Sequence, residues 1–157
     1  MQGLDIHVTI DGFKEIDFDS KVVRKAIRHS AGKVRAYARR LIARRAISAA
    51  GEFPGKDTGT MQKAIVVRMA RPRGGRGGLW ATVQPIKTAD MKNFYPAILV
   101  AGVKGGPRDK SHRTKPGNGS WRIAPRENFM IEALAKNEVY IREQLQDSLY
   151  NSLVARK

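Results

Sequence analysis

From Lys21 to about Ala50 the chain contains no proline and no strand-like alternation. Val23, Ile27, Val34 and Leu41 recur at helical spacing, and Ser30, Ala31, Tyr37 and Ala38 fill the same stripe. Ile42 and Ile47 extend it, while Lys25, Arg28, Arg35, Arg39 and Arg40 mostly take the other side. Such a stripe must be buried against another layer, so this stretch predicts one long amphipathic helix as the organising element. Asp19 or Ser20 supplies the N-cap, and Gly51 with Pro54 the stop. Gly32 inside it costs about 1 kcal/mol against Ala, which points to a bend or a close approach there.

Shorter patterns flank this helix. Leu4, Ile6, Val8 and Ile10 alternate with polar neighbours and predict a half-buried strand, closed by an Asp11-Gly12 turn. Phe13, Ile16 and Phe18 lead from that turn into the helix. Residues 51–60 read as a loop. Ala64–Val67 and Leu79–Ile86 predict two strands of a hairpin whose tip is Arg71–Gly78. Phe94–Val103, with its Tyr95-Pro96 pair, is a short helix or an edge strand. Residues 104–120 read as a long mobile basic loop, and Trp121–Ile123 as a short strand. Pro125 opens a second long helix, to about Val154, marked by Phe129, Met130, Ala133, Leu134, Ile141, Leu145, Leu149 and Leu153. The expectation is an α+β fold within one domain, 1–157. An antiparallel sheet of about four strands is packed by two long helices and carries long basic loops.

Charge then narrows function. The formal net charge is +16, but it is not spread evenly: residues 21–51 carry +10 and residues 63–122 carry +11. Residues 1–20 carry −4 and residues 123–157 carry 0. This predicts positive faces on a folded body, suited to phosphate backbones or acidic proteins. The candidate contacts on the helix are Arg35, Arg39, Arg40, Arg44 and Arg45. Those in the glycine-rich segments are Arg71, Arg73, Arg76, Lys104, Arg108, Lys110, Arg113 and Lys115. Few aromatics accompany the loops, so base stacking is not advertised.

Chemistry-bearing motifs are scarce. There is no cysteine, hence no disulfide, thiolate nucleophile or ordinary structural zinc site. Gly51–Thr58 superficially resembles a phosphate-binding loop. It has three residues between its glycines where that motif needs four, and Asp57 where Ser or Thr should follow Lys56. His7, His29 and His112 do not pair at metal-ligand spacing. The early acids read as solvent-exposed or capping groups, and Asp90 and Asp109 are the only carboxylates in the basic central block. No serine has a convincing histidine partner. Met1–Asp5 does not read as the start of a secretory leader, so the Asn118-Gly119-Ser120 sequon is not expected to be glycosylated, and no run of about 18 apolar residues predicts a membrane span. No enzyme activity, cofactor or metal is expected.

Three segments, in order, resemble a known family. Asp57-Thr58-Gly59-Thr60-Met61-Gln62-Lys63-Ala64-Ile65 looks like the "TG-x-L-x-x-S/A-I" signature of tail-completion, or head–tail joining, proteins of long-tailed phages. Tyr95 to Gly102 resembles their "Y…EFG" segment. Ala124-Pro125-Arg126-Glu127-Asn128-Phe129-Met130, followed by Ala133-Leu134, resembles the opening of their last helix. Val100 stands where the family carries Glu, and Val103 where it carries Thr. The resemblance implies a virion protein of the tail or neck, assembled in the host cytoplasm as a homo-oligomeric ring, often a hexamer. Its partners would be connector, tail-terminator or tail-tube proteins, with DNA passing through the lumen and no membrane. Thr58-Gly59 would be a turn before a strand, Ile65, Tyr95 and Gly102 structural positions, Pro125 the start of the last helix and Phe129 its anchor. The alternative is a basic DNA- or RNA-binding module of cellular origin; an enzyme such as a nuclease is a more distant third.

Overall fold

A computed structural model describes residues 19–70, 79–92, 94–105 and 119–153. The expected strand at Leu4–Ile10, the hairpin tip and most of the 104–120 loop lie outside the described residues.

Helix α1 runs from Ser20 to Leu41, with Asp19 as N-cap, its carboxylate accepting from the Lys21 amide at 2.8 Å. Val23, Ser30, Ala31, Val34 and Ala38 form its buried stripe, as the spacing predicts. The helix stops about nine residues short of the expected end. Ile42 is the C-cap residue and is 1 % exposed, so the chain turns where its core contact is complete. Residues 43–56 then form a braced loop. The Arg44 carbonyl accepts from the amides of Ala46 and Lys56, and Glu52 accepts from the Ala49 amide at 2.9 Å. Around Gly32 there is open space, so no close approach explains it.

A one-turn helix, α2 (Thr60–Ala64), stands between the Thr58-Gly59 turn and the strand expected to follow it directly. Strand β1 (Ile65–Met69) pairs antiparallel with β2 (Ala81–Pro85), with Ile65 opposite Pro85 and Met69 opposite Ala81. Ile65, Val67, Ala81 and Val83 thus share one face, and it packs on α1. The Tyr95-Pro96 segment is helical: α3 covers Tyr95–Ala101, Pro96 sitting in the first turn where a missing N–H costs nothing. Gly102 ends it at φ 72°.

Strands β3 (Val103–Lys104) and β4 (Trp121–Ile123) pair only with each other. The expected four-stranded sheet is therefore two separate two-stranded ribbons among the described residues. The reason is visible at Gly102: a Cβ there would lie 2.8 Å from Trp121 and 2.9 Å from the Ile123 carbonyl and the Pro125 nitrogen. The chain at 121–125 is drawn onto α3 instead of onto the hairpin edge. The expected mobile loop is also shorter at its neck. Gly105 donates to the Ser120 carbonyl at 2.8 Å and Gly119 to the Gly105 carbonyl at 2.9 Å.

The second long helix is broken. Helix α4 covers Phe129–Ala135 and α5 covers Glu138–Ser152. At the break the Asn137 side chain donates to the Ala133 carbonyl at 2.7 Å, claiming the acceptor that the next helical amide would have used. Pro125 does not start α4. Asn128 caps it, its side-chain oxygen accepting from Met130 and Ile131. An Asn carboxamide offers an acceptor that a proline three residues earlier lacks.

The core joins these pieces. Val34, Ala38, Ile42, Met61, Ile65, Phe129 and Ala133 form one buried cluster, with Phe53, Val83, Tyr95 and Leu99 packed against it. Phe129 is 1 % exposed, and truncating such a side chain to Ala costs about 3–5 kcal/mol. Helix α5 lies antiparallel to α1. The Asp19 amide donates to the Ser152 carbonyl at 2.8 Å, while Tyr140, near the other end of α5, faces His29 and Lys33. Small residues allow the approach: Ser148 and Ser152 are buried, their hydroxyls returned to the Leu145 and Leu149 carbonyls. Among the described residues no helix is long and apolar enough to cross a membrane.

Candidate functional site

The arginine row of α1 does not act as a unit. Arg39 turns inward, donating to the Ile65 carbonyl at 2.9 Å and to the Lys63 carbonyl at 3.4 Å. Burial, and secondarily the neighbouring Arg35, press its pKa below the usual guanidinium range. Its Nε is buried without a hydrogen-bond partner. Fifteen positions earlier in the sequence, Arg24 donates to the Ala70 carbonyl. The two arginines therefore hold β1 at both ends, with β1 antiparallel to α1. Gln62 completes the lower clamp by donating to the Arg39 carbonyl at 2.7 Å. Sequence reasoning missed Arg24, since a surface cation and a structural cation share one letter, and Gln62, whose neutral amide gives no signal of its own.

The remaining cations differ in setting. Arg35 is half-buried, and Arg40, Arg44 and Arg45 are exposed. Arg40 lies over the Tyr37 ring at 4.4 Å, within cation–π range. Lys104 lies over the Trp121 ring at 5.0 Å. Arg44 and Arg45 project from the loop after α1. Among the described residues the ion pairs join Glu132 to Lys136 and Glu138 to Arg142, within α4 and its turn and within α5. No described carboxylate bridges the cations of α1. Arg71, Arg73, Arg76, Arg108, Lys110, Arg113 and Lys115 lie outside the described residues. What the described set offers is a sparse cationic rim at the C-terminal end of α1, able to take phosphate or carboxylate oxygens without base-edge readout.

The motif residues meet elsewhere. Lys56, Asp57, Thr58, Gly59, Asp90 and Tyr95 line one open cleft, with Ile42 and Leu99 at its floor. Gly59 holds φ 81° as it opens α2, a conformation that favours glycine. The Thr58 and Thr60 hydroxyls bond each other at 2.8 Å. Burial raises the Tyr95 pKa, Asp57 raises it further, and the Met61 backbone opposes them. Asp57 and Asp90 are the carboxylates lining this cleft, and among the described residues no group of three or more metal-ligating side chains gathers. The cleft is a packing seam between the Thr58-Gly59 turn and α3.

A second seam lies beside it. The Pro125 carbonyl accepts from Gly51, the Arg126 amide donates to Leu99, and the Glu127 amide donates to Glu52. Arg126 also reaches the Ser48 hydroxyl at 2.9 Å. Residues 124–127 thus fasten the 43–56 loop to α3, a role the sequence does not advertise. Comparison of the chain with protein-family models, curated proteins and solved structures found no match.

Proposed function

We propose that this chain is a non-enzymatic virion protein that completes the tail or head–tail junction of a long-tailed phage, as a ring around the DNA path. The observation that carries the reading is the way the motif segments bear on one another. Thr58-Gly59 and Tyr95 line one cleft, Gly102 abuts Trp121, Ile123 and Pro125, and Phe129 shares a core with Ile65. These positions are far apart in sequence, and Gly59, Ile65, Tyr95, Gly102 and Phe129 among them are buried or half-buried packing positions. A family signature made of packing positions is what an assembly protein needs, since its product is a surface.

The test is electron microscopy of particles made without this protein. Unjoined heads and tails, or tails of faulty length or ending, are expected. Normal infectious particles would sink the reading. The exposed Arg40, Arg44 and Arg45 favour a second reading, a nucleic-acid-binding module of cellular origin. Neighbouring genes for capsid, connector and tail-tube proteins would separate the two.

A further inference from the structure

We infer that copies of this chain meet head to tail, the Ile47 loop of one copy seating on the outer face of α5 of the next. This rests on the ring proposed above and names the surfaces that would close it. Ile47 is 100 % exposed, yet it does not sit on a loose strap. The Arg44 carbonyl takes the Ala46 and Lys56 amides, and Arg126 holds Ser48. A Cβ on Gly55 would run into the Ala46 carbonyl. The loop is therefore packed onto residues 55–56 and presents an apolar side chain, flanked by Arg44 and Arg45, in a fixed place.

Helix α5 offers the counterpart. It buries Ser148 and Ser152 against the body and turns apolar residues outward: Val139 is 69 % exposed, Tyr150 79 % and Leu153 55 %. At 100° per residue Val139 and Tyr150 lie about 20° apart and form one ridge, with Leu153 exposed at the C-cap just past the helix. Glu143 lies on the same ridge and Asp147 borders it. With Glu138 already paired to Arg142, they leave α5 with excess negative charge. Apolar flanked by cations thus faces apolar flanked by carboxylates. A contact of either surface with its own copy would set like charges together, whereas the loop-on-α5 contact pairs opposite ones.

The two faces cannot meet within one molecule. Ile47 follows the C-terminal end of α1, and Tyr150 lies near its N-terminal end, where Asp19 bonds Ser152. Helix α1, with 22 residues, separates them by roughly 30 Å.

Light scattering after size-exclusion chromatography of the full chain tests this. The unaltered chain should exceed monomer mass, and Ile47→Asp and Tyr150→Asp should each reduce it to monomer with unchanged far-ultraviolet circular dichroism. Mixing those two variants should give a dimer and nothing larger, because only one intact junction remains. Arg44→Glu with Arg45→Glu should weaken association by about tenfold or more, and adding Glu143→Arg with Asp147→Arg should restore it. A chain that stays monomeric at millimolar concentration overturns the inference, as does an oligomer indifferent to both single variants. An oligomer that appears only when residues 1–18 are removed shows that the chain's own start covers the ridge, and overturns it too. None of these outcomes decides the neck reading, which stands or falls on the particles.

Discussion

Arg39 donates to the carbonyl of Ile65 across 2.9 Å, joining helix α1 to the first residue of strand β1. Ile65 is fully buried in the central cluster, and it faces Pro85 at a non-hydrogen-bonded position of the ladder, beside the bonded Ala64–Ile86 pair, so its carbonyl points away from β2. The guanidinium thus satisfies an acceptor at a corner of the core. The same strand is held at its other end by Arg24.

Arg39→Ala should therefore unfold the protein at lower denaturant, by about 1.5–3 kcal/mol, the range for a hydrogen bond to a charged group. Arg44→Ala and Arg45→Ala, on exposed loop positions, should change stability by less than about 0.5 kcal/mol. Urea titration followed by tryptophan fluorescence measures both. Equal effects at the three positions would show that the clamp contributes nothing.

The glycines sort by backbone and space. Gly32→Ala should stabilise by about 0.5–1 kcal/mol, since the site is helical and open. Gly59→Ala forces a Cβ into the left-handed region but meets mainly the flexible end of Lys56, so a loss of about 1–2 kcal/mol is expected. Gly102→Ala adds a collision with the Ile123 and Pro125 backbone and should cost more than Gly59→Ala. Thermal melts of the three variants should fall in that order, and a destabilised Gly32→Ala would mean that α1 is used differently.

Phosphate binding should divide along the same line as stability. With Arg39 committed to β1, a polyanion meets Arg40, Arg44 and Arg45 in a copy whose Ile47 loop is not seated on a neighbour, as in the monomeric Tyr150→Asp background used for this measurement. Replacing those three by Gln should lower affinity for duplex DNA and make the slope of log affinity against log salt shallower, by about 0.9 for each phosphate no longer neutralised. Arg39→Gln should leave that slope unchanged. Fluorescence anisotropy at several salt concentrations reads it. A slope indifferent to the triple variant would move the DNA-binding surface off this end of α1.

How far the sequence foretells this fold follows from what each signal measures. The α1 stripe and Asp19 cap are legible because a helix face and an N-cap are local patterns. So is the pairing of Ile65–Met69 with Ala81–Pro85, where two short apolar runs flank glycines. The division of the sheet is not legible. It depends on the fit of Gly102 against Trp121 and Pro125, a contact between distant residues. The break at Asn137 is hidden because its cause, a side chain competing for the Ala133 carbonyl, leaves the apolar spacing intact. In the site, the motif singles out Thr58, Gly59 and Tyr95, but not their meeting in one cleft. The arginine row misleads at Arg39 because charge counts cannot separate a strut from a free cation.

Tyr95 gives the alkaline limit. Its pKa lies above the ordinary value because burial and then Asp57 disfavour the phenolate, against the opposing Met61 backbone. The folded state therefore holds this proton more tightly than the unfolded chain does. The resulting stability is complete below the unfolded phenol pKa of about 10 and is lost as pH rises through the higher folded value. Tyr95→Phe cannot ionise, so stability profiles of the two proteins should run parallel below about pH 10 and separate above it, the variant falling less steeply. Denaturant titrations from about pH 8 to about pH 11 would show the divergence. Parallel curves over that whole range would mean that the phenol is as free to ionise in the fold as out of it, and that the seam between α3 and the Thr58-Gly59 turn does not shield it.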